Sequence, residues 1–384
     1  MSWGQTHLGN LISISKGKKH TPILNGAHRY INIEDLHRDK NPQYTNDKGV
    51  WCNPNDLIIA WDGANAGKVG VGYEGVIGST LARLFIKNPE IDARFLFWFL
   101  ESKNETIKSQ RTGATIPHIS GSSLKDILIP IPPLPIQKRI AEILDAADAL
   151  KRKDQQLLKK YDELAQAIFI DMFGDPVKNE KEWQRVTFKE ILEKIESGWS
   201  PVCYDKSASN DEWGVLKLGA ITKCVYNENE NKALLKCDKP RENIEVKNGD
   251  LLFSRKNTYE LVAACALVKK TRPHLMLSDL IFRFKLKQDS IVSPVYLHGL
   301  LTHSSKRSNI QSLAGGAAGS MPNISKEKLM GIKIELPPFA LQNNYSLIIE
   351  SINNSLENAK ESLLKTNQLF DSLIQKAFTG ELVS

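Results

Sequence analysis

The chain has 384 residues, 41% of them hydrophobic, and a formal net charge of +7, which is room for two or three domains with apolar cores and lies outside the disordered range. No apolar run approaches membrane-spanning length, and no basic segment leads into an apolar one at the N-terminus, so a cytoplasmic protein without a membrane partner is expected. Cys52, Cys203, Cys224, Cys237 and Cys265 are odd in number and contain no C-x-x-C pair, which argues against a disulfide framework and a zinc site and predicts free thiols.

In chain order, residues 1–133 read as short strands and turns. Leu57–Trp61, Lys68–Val71 and Leu81–Ile86 are expected strands, followed by an amphipathic helix over Arg94–Leu100. The segment Trp61-Asp62-Gly63-Ala64-Asn65-Ala66-Gly67-Lys68 is a glycine-rich turn with an aromatic, an acid, an amide and a cation. Such a turn is either an ordinary polar hairpin or a base-reading loop, since Lys and Arg can bond guanine and Asn can bond adenine. Gly70-Val71-Gly72-Tyr73-Glu74-Gly75 matches G-x-G-x-x-G but leads toward another strand instead of a helix, which excludes a dinucleotide site. Asn41-Pro42-Gln43-Tyr44 resembles the N-P-P-Y loop of amino-methyltransferases with its third residue wrong, and is read as a turn.

Pro132-Pro133-Leu134-Pro135-Ile136-Gln137 then opens a helix through residue 175, with Gly174-Asp175-Pro176 at its end. Ile136, Ile140, Ile143, Ala147, Leu150, Leu157, Tyr161, Leu164 and Ile168 step by fours and threes as a coiled-coil seam, interrupted by Asp154. Residues 176–338 repeat the first globule as Asp250–Arg255, Leu261–Val268, Leu280–Leu286 and a helix over Val295–Thr302. Ser254-Arg255-Lys256-Asn257-Thr258-Tyr259-Glu260 stands where the first turn stood. Pro337-Pro338-Phe339-Ala340-Leu341-Gln342 opens a second seam helix over 339–384.

The repeat keeps register at its helical ends. Thr115-Ile116-Pro117-His118-Ile119-Ser120 precedes the first helix as Ser320-Met321-Pro322-Asn323-Ile324-Ser325 precedes the second. Because Asn323 replaces His118, that position suits a hydrogen-bonding or DNA-contacting group better than a catalyst. The small residues within Gln110–Thr115 and Leu313–Ser320 serve either as flexible connectors or as backbone that approaches a phosphate. The net charges are +3 over 1–133, −1 over 134–175, +7 over 176–338 and −2 over 339–384, so the positive excess lies in the globules. Basic globules suit phosphates, and near-neutral helices suit protein. The two helical stripes are expected to pack on each other; an antiparallel pairing would set the globules at opposite ends and a parallel one side by side.

With the doubled T-I-P-H-I-S and P-P-x-x-x-Q elements, the two basic globules and the two seam helices, the chain resembles the specificity subunits of Type I restriction–modification systems along essentially its whole length. Neither proline element carries the acidic residue often found before the family's Gln. The resemblance implies an α+β fold of two mixed, mostly β target recognition domains (1–133 and 176–338), separated by a long antiparallel coiled coil (134–175 and 339–384), as a pseudo-two-fold repeat. It implies a non-catalytic, cofactor-free subunit that recognises a bipartite double-stranded DNA target. Two methyltransferase subunits and restriction–translocase subunits would be its partners. The candidate DNA-binding residues are Lys18, Lys19, Trp61, Asp62, Asn65, Lys68, Arg111, Thr115 and His118 in the first half, and Trp199, Arg255, Lys256, Asn257, Tyr259, Ser320 and Asn323 in the second. A specificity subunit of a fused system, with modification and cleavage on one partner chain, fits the same residues. A stand-alone DNA-modifying enzyme is disfavoured by the absent motifs.

Overall fold

The computed structural model describes residues 3–37, 42–112, 117–315 and 321–383. The architecture is α+β and falls into two compact units, Met1–Gln156 with Lys360–Ser384, and Leu157–Ala359.

In the first unit an antiparallel sheet orders Ile12–Lys16, Leu81–Ile86, Leu57–Ala60 and Val69–Val71. A second sheet orders Gln43–Thr45, His28–Ile31, Gly75–Ile77 and Trp51–Cys52, and Gln5–His7 pairs with Leu128–Pro130. All four side chains of Leu57–Ala60 are buried because successive residues face opposite layers. Leu57 and Ile59 join the core under the helix Ala93–Ser102, and Ile58 and Ala60 face the second sheet with Ile31, Cys52 and Ile77. That helix starts where Asp92 accepts from the Phe95 N–H, 2.9 Å. The G-x-G-x-x-G segment joins two strands, Val69–Val71 and Gly75–Ile77, as its sequence context required. Gln43 and Tyr44, expected in a turn, instead form an edge strand against His28–Ile31; Asn41 lies outside the described residues.

The second unit repeats the plan. Its main sheet orders Leu192–Ser197, Ile281–Leu286, Leu251–Ser254 and Cys265–Leu267, beside a three-stranded sheet and the pair Gln184–Thr187 with Lys333–Leu336. Leu251 and Phe253 face the core of the helix Pro294–Thr302, and Leu252 faces the other layer. The expected strand over Leu261–Val268 is shorter than its apolar run, because Ala263, at φ +61°, turns the chain before Cys265. In each unit an arginine on the neighbouring central strand holds the acid at the strand entry. Arg83 binds Asp56 at 2.9 and 3.2 Å, and Arg283 binds Asp250 at 2.9 Å and Glu196 at 2.6 Å. The echo between Asp56-Leu57 and Asp250-Leu251 therefore marks a buried charge pair.

Two long helices complete the chain, Leu134–Phe173 (40 residues) and Phe339–Ala377 (39 residues), each about 60 Å at 1.5 Å per residue. Their pairing is antiparallel. In the first unit the Lys151 ammonium lies 5.0 Å from the Phe370 ring, and Asp154 accepts from the Thr366 hydroxyl at 2.7 Å. In the second, Phe169 and Phe173 pack on Tyr345 at 5.7 and 5.2 Å. Asp154, which interrupts the stripe in sequence, is thus a satisfied polar layer within it.

The expected seam needs one correction. Leu150, Leu157 and Leu164 are exposed, at 45, 40 and 45%, while Ile140, Leu144, Ala147 and Asp154 are buried. The helix phase is set by its globule: Ile140, Ala141 and Leu144 share a core with Phe95 and Phe99 and turn the leucine line outward. No described helix is long and apolar enough to cross a membrane.

The repeated glutamine explains how each helix is fixed to its globule. Gln137 Oε1 accepts from the Asp92 N–H, and its Nε2 donates to the Glu90 and Pro132 carbonyls, all at 2.9 Å. Gln342 does the same with the Ser293 N–H (2.8 Å), Ile291 carbonyl (3.1 Å) and Pro337 carbonyl (2.8 Å). Both side chains are at most 1% exposed. Replacing Gln342 by Ala should leave a buried N–H and two carbonyls unpaired and cost about 2–4 kcal/mol, measured by urea unfolding; a loss under about 0.5 kcal/mol would contradict this role.

Candidate nucleic-acid interface

Each unit carries a turn between a central strand of its main sheet and that sheet's edge strand, Val69–Val71 or Cys265–Leu267, held by the same backbone hydrogen bonds. In the first unit the Trp61 N–H donates to the Thr80 carbonyl (2.8 Å), and the Trp61 carbonyl accepts from the Ile119 N–H (2.9 Å). The Gly63 N–H donates to Pro117 at 2.8 Å, and Gly67 returns to Ala60 at 2.8 Å. In the second unit the same bonds are Arg255 to Leu280 (3.1 Å), Ile324 to Arg255 (2.9 Å), Asn257 to Pro322 (3.3 Å) and Ala263 to Ser254 (3.0 Å). His118 pairs with Thr112 and bridges to Asp62, as Asn323 pairs with Gly315 and bridges to Lys256. The repeated P-[HN]-I element is therefore a backbone rail that supports the turn.

On that common frame the side chains differ. Trp61, Asp62 and Gly63 in one turn stand where Arg255, Lys256 and Asn257 stand in the other, so an acid is exchanged for a cation. Asp62 is held by Lys16, 2.8 Å away. The Arg255 guanidinium lies over the Phe282 ring at 5.2 Å, and Lys326 over the same ring at 5.5 Å. Asn65 and Tyr259 are exposed at the turn tips, whereas Asn257 is buried and accepts from the Thr258 N–H at 2.9 Å. Lys68 sits beside Glu101, whose carboxyl burial pushes above its ordinary range while Lys68 opposes that shift. The second turn is also the longer, by two residues, between its closing bonds.

Lys18 and Trp199 occupy matching places. Each follows a glycine pressed against the main-chain oxygens of the neighbouring segment: a Cβ on Gly17 would lie 2.2 Å from the Gly78 carbonyl oxygen, and one on Gly198 1.9 Å from that of Leu277. Lys18 and Lys19 are exposed, but Trp199 is half-buried beneath the Arg241 guanidinium at 4.2 Å. Trp61, Asp62, Asn65, Arg111 and His118 thus gather at one turn, and Arg255, Lys256, Asn257, Tyr259 and Asn323 at the other, with Lys18, Lys19 and Trp199 on the adjoining strand exits. Thr115 and Ser320 lie outside the described residues. Sequence reasoning missed Lys16, Arg241, Arg307 and Gln311; only Lys16, two residues before Lys18, carried a local signal. Among the described residues no group of three or more His, Cys, Asp or Glu is placed to hold a metal ion, and all five cysteines are free.

Residues 2–160 match the family described as Type I restriction modification DNA specificity domain. The Type I restriction enzyme MjaVIII specificity subunit of Methanocaldococcus jannaschii is 26% identical over 408 residues, an alignment covering 99% of this chain and 93% of that one. Over nearly its whole length this chain is similar to the Type I specificity subunits. The fold agrees: the S subunit of the Type I restriction–modification system from M. genitalium superimposes with a TM-score of 0.64 at 16% identity, covering 98% of this chain and 96% of that one. A structure described for complex assembly and conformational transition of the type I R-M system gives 0.57, also at 16%, covering 99% and 98%. Both sequence matches are thus to the specificity component of Type I restriction enzymes.

The glycine contacts supply a check on this subunit. Gly198→Ala forces a methyl group into the Leu277 carbonyl and should cost about 1–3 kcal/mol by overpacking. Urea unfolding measures it, and an unchanged midpoint would show that the close approach is not needed.

Proposed function

We propose that this specificity subunit recognises a split duplex sequence, with residues 1–133 reading one half and 176–338 the other. The helices 134–175 and 339–384 would fix the gap and dock the partners. The observation that carries this reading is one backbone frame bearing two unlike turns, Trp61–Lys68 and Ser254–Glu260, on domains that hold the chain's positive charge. Two different half-sites require different donors and acceptors at equivalent places. Asp62 can accept from a cytosine amino group, and Arg255 or Lys256 can donate to guanine.

The partners in this reading are two methyltransferase subunits seated on the helices and restriction–translocase subunits joining through them, in the cytoplasm. The outward leucines, Leu150, Leu157 and Leu164, recur every seven residues on the central helix and supply an apolar line for such a contact. Phosphate contacts from basic domains also predict strongly salt-dependent binding.

The test uses the subunit assembled with its methyltransferase partner and duplexes that vary only in the spacer between half-sites. Each added base pair moves one half-site by about 3.4 Å and turns it by about 35°. Affinity should peak at one spacer length and fall roughly 100-fold or more when about two base pairs are added. Equal affinity across spacers would refute a fixed separation.

A further inference from the structure

We infer that Gln311 and Arg307 in the second unit, and Arg111 in the first, are positioning residues: they grip the turn's carbonyls from behind and hold its side chains toward DNA. The inference rests on the turns being the DNA-reading elements. It concerns the residues that give each turn a defined shape before DNA arrives.

The segment Thr258–Leu261 lies in no strand, so no neighbouring strand supplies donors for its carbonyls. The Thr258 carbonyl accepts from the Leu261 and Val262 N–H groups, and the end of the helix Ser304–Gln311 supplies donors to those of Tyr259 and Glu260. Gln311 Nε2 lies 3.1 Å from the Tyr259 carbonyl, 3.2 Å from that of Glu260 and 3.2 Å from that of Val262, and Arg307 Nη2 lies 2.9 Å from that of Glu260. One amide group with two hydrogens thus spans both sides of the exposed tip. In the shorter first turn a single grip suffices: Arg111 Nη2 donates to the carbonyl of Ala66, directly before the Gly67 return. Both arginines are committed inward, since Arg111 Nε and Arg307 Nε are buried with no hydrogen-bond partner among the described residues.

The grips come from positions that do not match in the repeat. Arg111 directly precedes Thr112, while Gln311 stands four residues before Gly315, although Thr112 and Gly315 make the same rail bonds to His118 and Asn323. Two units have reached the same support from different places, which a purely inherited frame contact would not do. A turn of two extra residues needs the longer span that Gln311 provides, and a flexible turn would spend binding energy on its own ordering.

The test measures methylation of duplexes altered in either half-site by the intact subunit with its methyltransferase partner. Gln311→Ala should lower discrimination at every position of the second half-site on the order of tenfold and leave the first half-site unchanged. That unchanged first half-site also reports that the variant is folded. Gln311→Glu, which turns a carboxylate toward the same carbonyls, should be at least as damaging. Gln311→Arg, which restores donors as Arg111 does in the first unit, should recover discrimination to within about twofold. Full discrimination by Gln311→Ala would overturn the inference, as would a changed preference at one base only, which would make Gln311 a direct reader. Lys256→Ala separates the two levels: if it weakens second-site recognition while Gln311→Ala does not, only the positioning role fails. If Lys256→Ala is also silent, the turn is not the reader and both readings fall.

Discussion

A buried glutamine at the start of each long helix is the contact on which the other arrangements depend. The P-P-x-x-x-Q element combines residues that keep the approach extended with one side chain that can both accept and donate twice. Gln137 and Gln342 use both donors and accept once, joining the preceding proline carbonyl to the entry of the short core helix. Each glutamine sets the rotational phase of a helix about 60 Å long. That phase decides which residues are buried with the globule and which line faces out. A shorter or apolar side chain would leave buried backbone groups unpaired on both sides of the joint, which explains why the same residue stands in both copies.

The frame around the turns works by a related division. Main-chain bonds to Pro117 and Ile119, or to Pro322 and Ile324, hold the turns without involving the side chains that differ. Asp62 can therefore stand where Lys256 stands in the other unit without disturbing the rail. The Asp62 charge is balanced locally by Lys16, whereas in the other unit Arg255 and Lys326 lie over the Phe282 ring beside the turn. A fold built in this way tolerates changes in the turn side chains because the bonds that hold the turns are made by main-chain atoms.

Much of this was legible before any coordinates. The strands at Leu57 and Leu81, the helices over Arg94–Leu100 and Val295–Thr302, and both long helices followed from periodicity and from the prolines that open the long helices, which are local properties of the chain. The failures were long-range. Leu150, Leu157 and Leu164 fit a heptad by themselves and were displaced from the seam because Ile140, Ala141 and Leu144 had to enter the globule's core. Gln43 and Tyr44 became a strand because His28–Ile31 offered an edge. The site was legible as two turns, but Lys16, Arg241, Arg307 and Gln311 were not, since their partners lie 42 to 52 residues away in the chain.

The sequence alone determined the doubled unit, the placement of positive charge in the globules and the proline-led helices, because each is written in spacing and composition. Tertiary structure decided the antiparallel pairing, the outward face of the central helix and the residues that grip the turns. Those depend on which surfaces meet once the cores close, and hydrogen bonds such as those from Gln311 to Val262 and from Thr366 to Asp154 join segments that no local pattern connects.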